Sequence, residues 1–283
     1  MAGVSMKDIK LRIKSMESTK QITKAMEMVA ASKLRRAQAR IQNSRPYFEI
    51  LYDTLNTIAN NTEDFASPYL EARPVRKTCY IVIAGDRGLA GGYNGNVLKL
   101  AWEKIEGTSA CVVPIGKKCL EFFQRRGTEI LTDVYAEASE LHVGDCVTAS
   151  KMISRGFLNG EYDRVEIIYT RFISMLSQTP DQLRLLPLEY TPQPGDTQTD
   201  ALTLYEPDSL TVFDTIIPEY LGGVLYGAVC ESVTSEQGAR RTAMDAATKN
   251  AEEMIGSLSL KYNRARQGAI TQEITEIVAG AET

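Results

Sequence analysis

Apolar positions near the N-terminus follow a helical repeat. Small or apolar residues recur at alternating spacings of three and four, which is typical of a coiled-coil seam. They are Leu34, Ala37, Ile41, Ser44, Phe48, Leu51, Leu55 and Ile58. Pro46 falls inside this pattern, and a proline inside a helix either bends or ends it. Because the repeat continues beyond Pro46, we predict a bend there and a helical region over residues 1–60.

The C-terminal part of the chain carries a similar pattern. No proline occurs in residues 219–283, and mostly small residues recur at three- and four-residue spacings. One such stripe runs from Leu221 to Thr242 and a second from Ala247 to Ala269. We predict a second long helical region over residues 209–283. It must run antiparallel to the first if the two helices pair, because the chain leaves by one and returns by the other.

The pattern changes in the central residues 75–205. Strand-like runs occur at 78–84, 111–115 and 164–174, and helix-like runs at 97–106, 117–126 and 147–160. Alternating strands and helices favour a parallel α/β sheet. The predicted fold is therefore α/β, with an antiparallel coiled coil of long terminal helices and an inserted Rossmann-like α/β domain. Residues 191–203 are predicted to form a polar surface loop.

One glycine-rich segment deserves a test as a nucleotide site. The sequence "AGDRGLAGGYNGN", residues 84–96, contains five glycines and follows a strand-like run. A dinucleotide loop requires G-x-G-x-x-G and a Walker loop requires G-x-x-x-x-G-K-[ST], and the segment contains neither. Its main-chain N–H groups, assisted by Arg87, could still bind an anion. Tight turning and close packing of the strand end explain the glycines more simply.

Composition excludes several classes of function. The chain has 283 residues, one histidine and five scattered cysteines without a C-x-x-C pair, so we predict no metal site and buried, reduced cysteines. No catalytic motif and no cofactor site is predicted. No apolar run reaches the length of a membrane-spanning helix, and the N-terminus resembles neither a signal nor a transit peptide. We expect a cytoplasmic protein, or one held at a membrane by a partner.

Charge is distributed unevenly along the chain. Residues 1–45 carry eleven Lys and Arg residues against three acidic ones, although the whole chain has a formal net charge of −4. A basic arm of this kind requires an acidic partner or a solvated face. Two alternatives remain open at this point. The chain could be a Rossmann-like nucleotide-binding protein with helical extensions, or its basic arm could bind nucleic acid. The missing G-x-G opposes the first, and the overall acidity opposes the second.

Several long segments resemble one known family. "QITKAMEMVAASKLRRAQAR" (21–40), "SEQGARRTAMDAATKNAEEM" (235–254) and "YNRARQGAITQEITEIVAGA" (262–281) are similar to the gamma-subunit family of F-type ATP synthases. The shorter "DRGLAGGYN" (86–94) and "LYEPD" (204–208) also resemble it. The resemblance extends in order over the whole chain. Because residues 189–210 contain no cysteine, the thiol switch of the chloroplast form is not expected, which favours a bacterial member.

This resemblance implies a rotor shaft rather than an enzyme. In the family, the paired terminal helices enter a ring of three alpha and three beta subunits, and the α/β domain lies on the c-subunit ring beside the epsilon subunit. Ion flow turns the c ring and the shaft, and rotation drives ATP synthesis at the beta subunits. The resemblance thus implies a non-catalytic subunit without a cofactor or nucleic-acid partner. It also implies a peripheral position on the cytoplasmic face of the cell membrane.

Family positions can be carried over to particular residues. The resemblance implies alpha- and beta-subunit contacts in the basic arm and in the C-terminal helix, and c-ring or epsilon contacts in the lower loop. The alpha and beta contacts are Lys20, Lys24, Met26, Arg240, Arg266, Gln267 and Thr271, and the c-ring and epsilon contacts are Tyr205 and Glu206. Arg241 stands beside Arg240, so the contact assigned to Arg240 could be shared. Without the resemblance, Met26 would be read as a core residue and the segment at Tyr205 as an ordinary turn.

Overall fold

Two long helices contain almost half of the chain. The structure, a computed structural model, describes residues 5–61, 67–135, 137–188 and 205–281. Helix α1 spans Met6–Asn61 and helix α5 spans Ser209–Ala281. The prediction that the first helix continues beyond Pro46 is confirmed, since α1 contains this proline. α5 likewise contains a proline, Pro218, immediately before the proline-free segment 219–283.

Strands and helices alternate between the two long helices. In chain order they are β1 (Thr78–Ile83), α2 (Tyr93–Ile105), β2 (Ala110–Ile115), α3 (Lys117–Arg126), β3 (Glu129–Ile130), a short 3-10 helix (Ala138–Glu140), α4 (Val143–Leu158), β4 (Arg164–Phe172) and β5 (Gln178–Leu186). All three predicted strands and all three predicted central helices are present. The strands β3 and β5 were not predicted. The predicted loop at 191–203 lies outside the described residues.

The five strands form one sheet in the order β3-β2-β1-β4-β5. The four strands β3, β2, β1 and β4 run parallel to one another. β5 pairs antiparallel with β4, so the prediction of a purely parallel sheet is wrong at this edge. An antiparallel partner can follow its neighbour directly by a short connection, whereas a parallel one needs a crossover of a dozen or more residues. Only five residues separate β4 from β5.

Helices cover both faces of this sheet. Successive side chains of a strand point to opposite faces, and every residue of β1 is buried. Cys79, Ile81 and Ile83 face a cluster that includes α4, α5 and the last turns of α1. Tyr80 and Val82 face a second cluster with α2 and α3. The central strand is therefore enclosed in apolar surroundings, as is typical of doubly covered parallel sheets.

The chain forms two compact units. Unit 1 comprises residues Met1–Ala31 and Arg240–Thr283, and unit 2 comprises Ser32–Ala239. Each of the two long helices contributes one part to unit 1 and another to unit 2. The sequence-based ranges 1–60, 75–205 and 209–283 remain a prediction about domain organisation. Among the described residues, no helix combines the length and the apolar character needed to cross a membrane.

Two adjacent glycines of α5 mark close approaches inside unit 2. A Cβ atom at Gly222 would lie 2.7 Å from the Cα atom of Val147 in α4. A Cβ atom at Gly223 would lie 1.9 Å from Cδ1 of Phe48 in α1. At Gly227, one turn further, a Cβ atom would meet open space. Gly222 and Gly223 therefore allow close packing of α5 against α4 and α1. This packing offsets the lower helix propensity of glycine.

We predict that Gly222→Ala destabilises the protein and that Gly227→Ala stabilises it. The new methyl group at 222 would meet main-chain atoms of α4, and overpacking of this kind costs about 1–3 kcal/mol. The methyl group at 227 meets nothing and improves helix propensity by up to about 1 kcal/mol. Urea unfolding of the full chain measures both free energies. Equal midpoints for the two variants would contradict the close approach of α4 and α5.

Candidate functional site

The glycine-rich segment closes on itself after β1. The main-chain N–H of Gly85 donates to Oδ1 of Asn94 at 2.8 Å, and Nδ2 of Asn94 donates to the carbonyl of Arg87 at 3.1 Å. A Cβ atom at Gly85 would lie 2.9 Å from the buried carboxyl group of Glu236 in α5. The first turn of the segment thus lies against the long helix, and a side chain at Gly85 would separate the two.

A second anchor of this segment is the carboxylate of Asp86. It accepts hydrogen bonds from the main-chain N–H groups of Ala138 at 2.9 Å and Ser139 at 3.2 Å, and from the Ser139 hydroxyl at 3.0 Å. The carboxylate therefore holds the short 3-10 helix. Gly116, immediately before α3, has a φ of +95°, and a Cβ atom there would clash with the carbonyl oxygen of Ala84, so only glycine fits this position. These contacts favour a packing role for the glycines over a nucleotide site.

The described residues offer little chemistry for a metal or an activated nucleophile. Within those ranges, no group of three or more His, Cys, Asp and Glu side chains could hold a metal ion. All five cysteines are buried and free. Burial raises the pKa of the Cys146 thiol to about 12, which leaves it protonated and unreactive at neutral pH. The remaining candidate functional residues are those predicted to contact partner subunits.

In unit 1 the two long helices pair antiparallel. The Nζ atom of Lys20 lies 2.9 Å from Oε1 of Glu252, and the hydroxyl oxygens of Thr23 and Thr248 are 2.7 Å apart. From the first contact to the second, the residue number rises from 20 to 23 on α1 and falls from 252 to 248 on α5. The two helices therefore run in opposite directions. Ala30 of α1 and Ala251 of α5 are both buried. Small and hydroxyl-bearing residues thus allow the two helices of this unit to approach closely.

Both lysines predicted to contact partner subunits form ion pairs within the chain. Lys20 pairs with Glu252, and this contact lowers the pKa of the Glu252 carboxyl group. Lys24 pairs with Glu27 at 2.9 Å, and the hydrogen bond raises the pKa of the lysine. Both lysine side chains stay about half exposed, at 43% and 55%. Met26 is half-buried on the same helix. The sequence indicated the positive charge of this segment but not its internal partners.

The remaining alpha and beta contacts lie along α5. Arg240 and its neighbour Arg241 are half-buried, whereas Arg266, Gln267 and Thr271 are exposed. The Thr271 hydroxyl donates to the main-chain carbonyl of Gln267 at 2.9 Å, a hydrogen bond within its own helix.

α5 also carries an apolar face beside these residues that was not predicted. From residue 270 onward, four large apolar side chains of α5 are exposed at spacings of four, three and one. They are Ile270 (47%), Ile274 (56%), Ile277 (71%) and Val278 (53%), and we refer to these four residues as the C-terminal apolar stripe. The spacing is that of one helical face, so the signal was present in the sequence. A face of this kind normally packs against another surface.

The two lower-loop residues differ in environment. Tyr205 is half-buried and packs against the apolar cluster of unit 2, while Glu206 is exposed. Asp208 follows them and caps α5, because its carboxylate accepts the main-chain N–H of Thr211 at 2.8 Å. That hydrogen bond lowers the pKa of the Asp208 carboxyl group. The predicted contact residues therefore belong to three parts of the chain, which are the basic arm, the α5 residues from Arg240 onward, and the residues just before α5.

Comparisons with known proteins agree along the whole chain. The family model described as ATP synthase matches residues 5–283. The ATP synthase gamma chain of Ruminococcus albus is 46% identical over 278 residues, with 96% of each chain covered. That of Alkaliphilus metalliredigens is 44% identical over 287 residues, with 99% of each chain covered.

A solved structure shares the fold at low sequence identity. It is the rotor of the Euglena gracilis mitochondrial ATP synthase in rotational state 1, with a TM-score of 0.65 and 18% identity over 94% of this chain and 98% of that one. This likeness confirms the α/β fold with long terminal helices. Together with the identity to the bacterial relatives, it leads to one conclusion: the chain belongs to the ATP synthase gamma-chain family.

Proposed function

We propose that this chain is the central rotor shaft of an F-type ATP synthase. It couples ion-driven rotation of the c ring to ATP synthesis or hydrolysis at the beta subunits of the alpha–beta hexamer. Its partners are three alpha and three beta subunits, the epsilon subunit and the c ring. Family membership supports this role, and so do the names of the relatives and the rotor description of the Euglena neighbour.

The observation that carries the proposal is the C-terminal apolar stripe. Four large apolar side chains on one face of α5 remain in contact with water in the isolated chain. Exposed apolar faces of this kind mark interaction surfaces. The alpha and beta subunits cover this face, and Arg266, Gln267 and Thr271 lie at its start. Because apolar contacts are non-directional, such a face can keep contact with three successive partners as the shaft turns.

The basic arm offers a different type of contact. Lys20 and Lys24 are half exposed while paired, so an acidic loop of a beta subunit can share each ammonium group with its internal carboxylate. Met26 adds a flexible apolar side chain beside them. Arg240 contacts the same ring of subunits from α5. Exposed ion pairs are weak and exchange easily, which suits contacts that must form and break in every cycle.

The lower loop provides the opposite attachment. Tyr205 is held by the apolar cluster of unit 2, which fixes the main chain beside it. Glu206 next to it is exposed and available to the c ring or epsilon. The chain itself is non-catalytic and needs no cofactor, since ATP chemistry takes place on the beta subunits. It is peripheral to the membrane, on the cytoplasmic face of the bacterial cell, and is held there by its partners.

We predict that the chain, mixed with its alpha and beta subunits, forms a stoichiometric complex that hydrolyses ATP. A bead attached to the α/β domain should then turn in one direction in steps, because three equivalent catalytic sites act on one asymmetric shaft. Single-particle rotation measurements at limiting ATP record these steps. If the chain fails to assemble but binds a nucleotide by itself, the proposal is refuted. Residues 84–96 would then be the candidate nucleotide site.

A charge swap separates the internal and external roles of Lys20. The double variant Lys20→Glu, Glu252→Lys keeps the internal ion pair but reverses the sign of the charge at residue 20 of α1. We expect the same melting temperature and association with alpha–beta about tenfold slower at low salt, because electrostatic steering is lost. Stopped-flow association at several salt concentrations measures this. The control is the swap Asp245→Lys, Lys249→Glu, whose pair is 2.8 Å apart within α5. If both swaps behave alike, Lys20 has no specific partner.

Polar substitutions test the C-terminal apolar stripe. We expect the double variant Ile274→Gln, Ile277→Gln to raise the Kd for alpha–beta at least about tenfold, because burying each isoleucine contributes about 1.5–3 kcal/mol. Glutamine is a good helix former, so α5 itself is preserved. Glu273→Gln, an exposed neighbour, is the matched control. Titration of labelled chain with alpha–beta measures the Kd, and unchanged affinity in the double variant would show that the stripe stays in water.

A further inference from the structure

The strand β4 extends beyond its neighbour β1. The last paired residues of the two strands are Val82 and Ile168, after which β1 ends and the main-chain N–H of Ala84 donates to Ile115 instead. β4 continues to Phe172 and stays paired with β5 on its other edge. On the β1 side, the main-chain groups of Thr170 and Phe172 therefore lack a strand partner. Buried main-chain groups are almost always hydrogen-bonded, so another element must supply the partner.

Helix α5 supplies it through side chains. The main-chain N–H of Thr170 donates to the Ser232 hydroxyl at 3.2 Å, and the Ser235 hydroxyl donates to the carbonyl of Thr170 at 3.2 Å. Glu231 of the same helix lies beside the main chain of Phe172. Thr170, Ser232 and Ser235 are all buried. We call these three residues the sheet–helix clamp, because two hydroxyl groups of a helix take the place of a strand.

The surroundings of the clamp are polar and tightly packed. Tyr93, at the start of α2, is buried beside Ser232, and Glu236 fills the space beside Gly85. Every residue from Thr234 to Gln237 is buried. A helix buried on all sides is ordinarily apolar. Here hydrogen bonds replace apolar contacts, and because hydrogen bonds are directional, they fix both the rotation and the axial position of α5 against the sheet.

We propose that the sheet–helix clamp is the joint that makes the α/β domain and α5 turn as one body. This inference rests on the proposed rotor function and specifies where torque passes from the sheet to the helix. Apolar side chains alone resist sliding weakly, whereas loss of either hydroxyl leaves a buried main-chain group of Thr170 without a partner. Ser232 and Ser235 are therefore positioning residues, which act through the main chain of β4.

Hydrogen exchange tests the contact itself. In the full chain, Ser232→Ala should accelerate exchange of the Thr170 amide at least tenfold while the Ile167 amide is unchanged. Hydrogen exchange followed by electron-transfer fragmentation of a peptide that spans residues 165–172 resolves the two amides and measures this. Ser257→Ala, an exposed serine of the same helix, is the control and should change neither amide. Unchanged exchange at Thr170 in Ser232→Ala would overturn the contact and with it the joint.

Rotation measurements then test the mechanical role. In the assembled complex, with a bead on the α/β domain, Ser232→Ala and Ser235→Ala should each retain ATP hydrolysis within twofold. The angular variance of the bead should rise at least twofold, and ion pumping per ATP should fall at least twofold. Ser235→Thr keeps a donor hydroxyl and should restore both. If amide exchange becomes faster but the angular variance does not change, the clamp only stabilises the fold. That result would contradict its proposed role as a joint.

Two further outcomes separate the two proposals. If the unmodified complex does not rotate, the rotor function fails and the clamp has no torque to carry. If Ser232→Ala does not fold, Ser235→Ala decides the matter, because an unpaired carbonyl is tolerated better than an unpaired N–H. Normal variance and normal pumping in a folded Ser235→Ala complex would overturn the joint while leaving the rotor function intact.

Discussion

The burial of α5 inside unit 2 is the constraint on which the remaining structure depends. Phe213, Ile217, Leu221 and Leu225 recur every four residues and are all buried against one face of the sheet. Burial of each such side chain contributes about 1.5–3 kcal/mol. α4 and α1 close on the same helix at Gly222 and Gly223, where no side chain would fit. Within unit 2, the sheet, α4 and the last part of α1 are thereby arranged around one element.

Much of the fold could be predicted because its signals are local. The three-and-four spacing of α1 and the buried runs of β1, β2 and β4 each identify their own element. β5 could not be predicted in this way, because its sequence "QTPDQLRLL" contains charged residues and a proline. Strand preference at a sheet edge is set by the neighbouring strand more than by the residues themselves. Its antiparallel direction follows from the short connection to β4, which becomes visible only once both strands are known.

The candidate contact residues were predictable to a smaller extent. The resemblance located Lys20 and Lys24, but only the structure shows that Glu252 and Glu27 already neutralise part of their charge. Such pairs depend on the register of the two helices or on rotamers, which composition does not determine. Ser232 and Ser235 illustrate the same limit: in the sequence they belong to a stripe of small residues, and their hydrogen bonds to Thr170 arise because β4 is longer than β1. The apolar stripe, by contrast, could have been found from its spacing.

The C-terminal apolar stripe also has a consequence for the life of the chain before assembly. A newly made copy displays Ile270, Ile274, Ile277 and Val278 to every other protein in the cell. Exposed apolar surface invites aggregation and recognition by chaperones and proteases. The half-life of the free chain is then set by how quickly partner subunits cover this face. We therefore expect the free chain to be degraded faster than the assembled one.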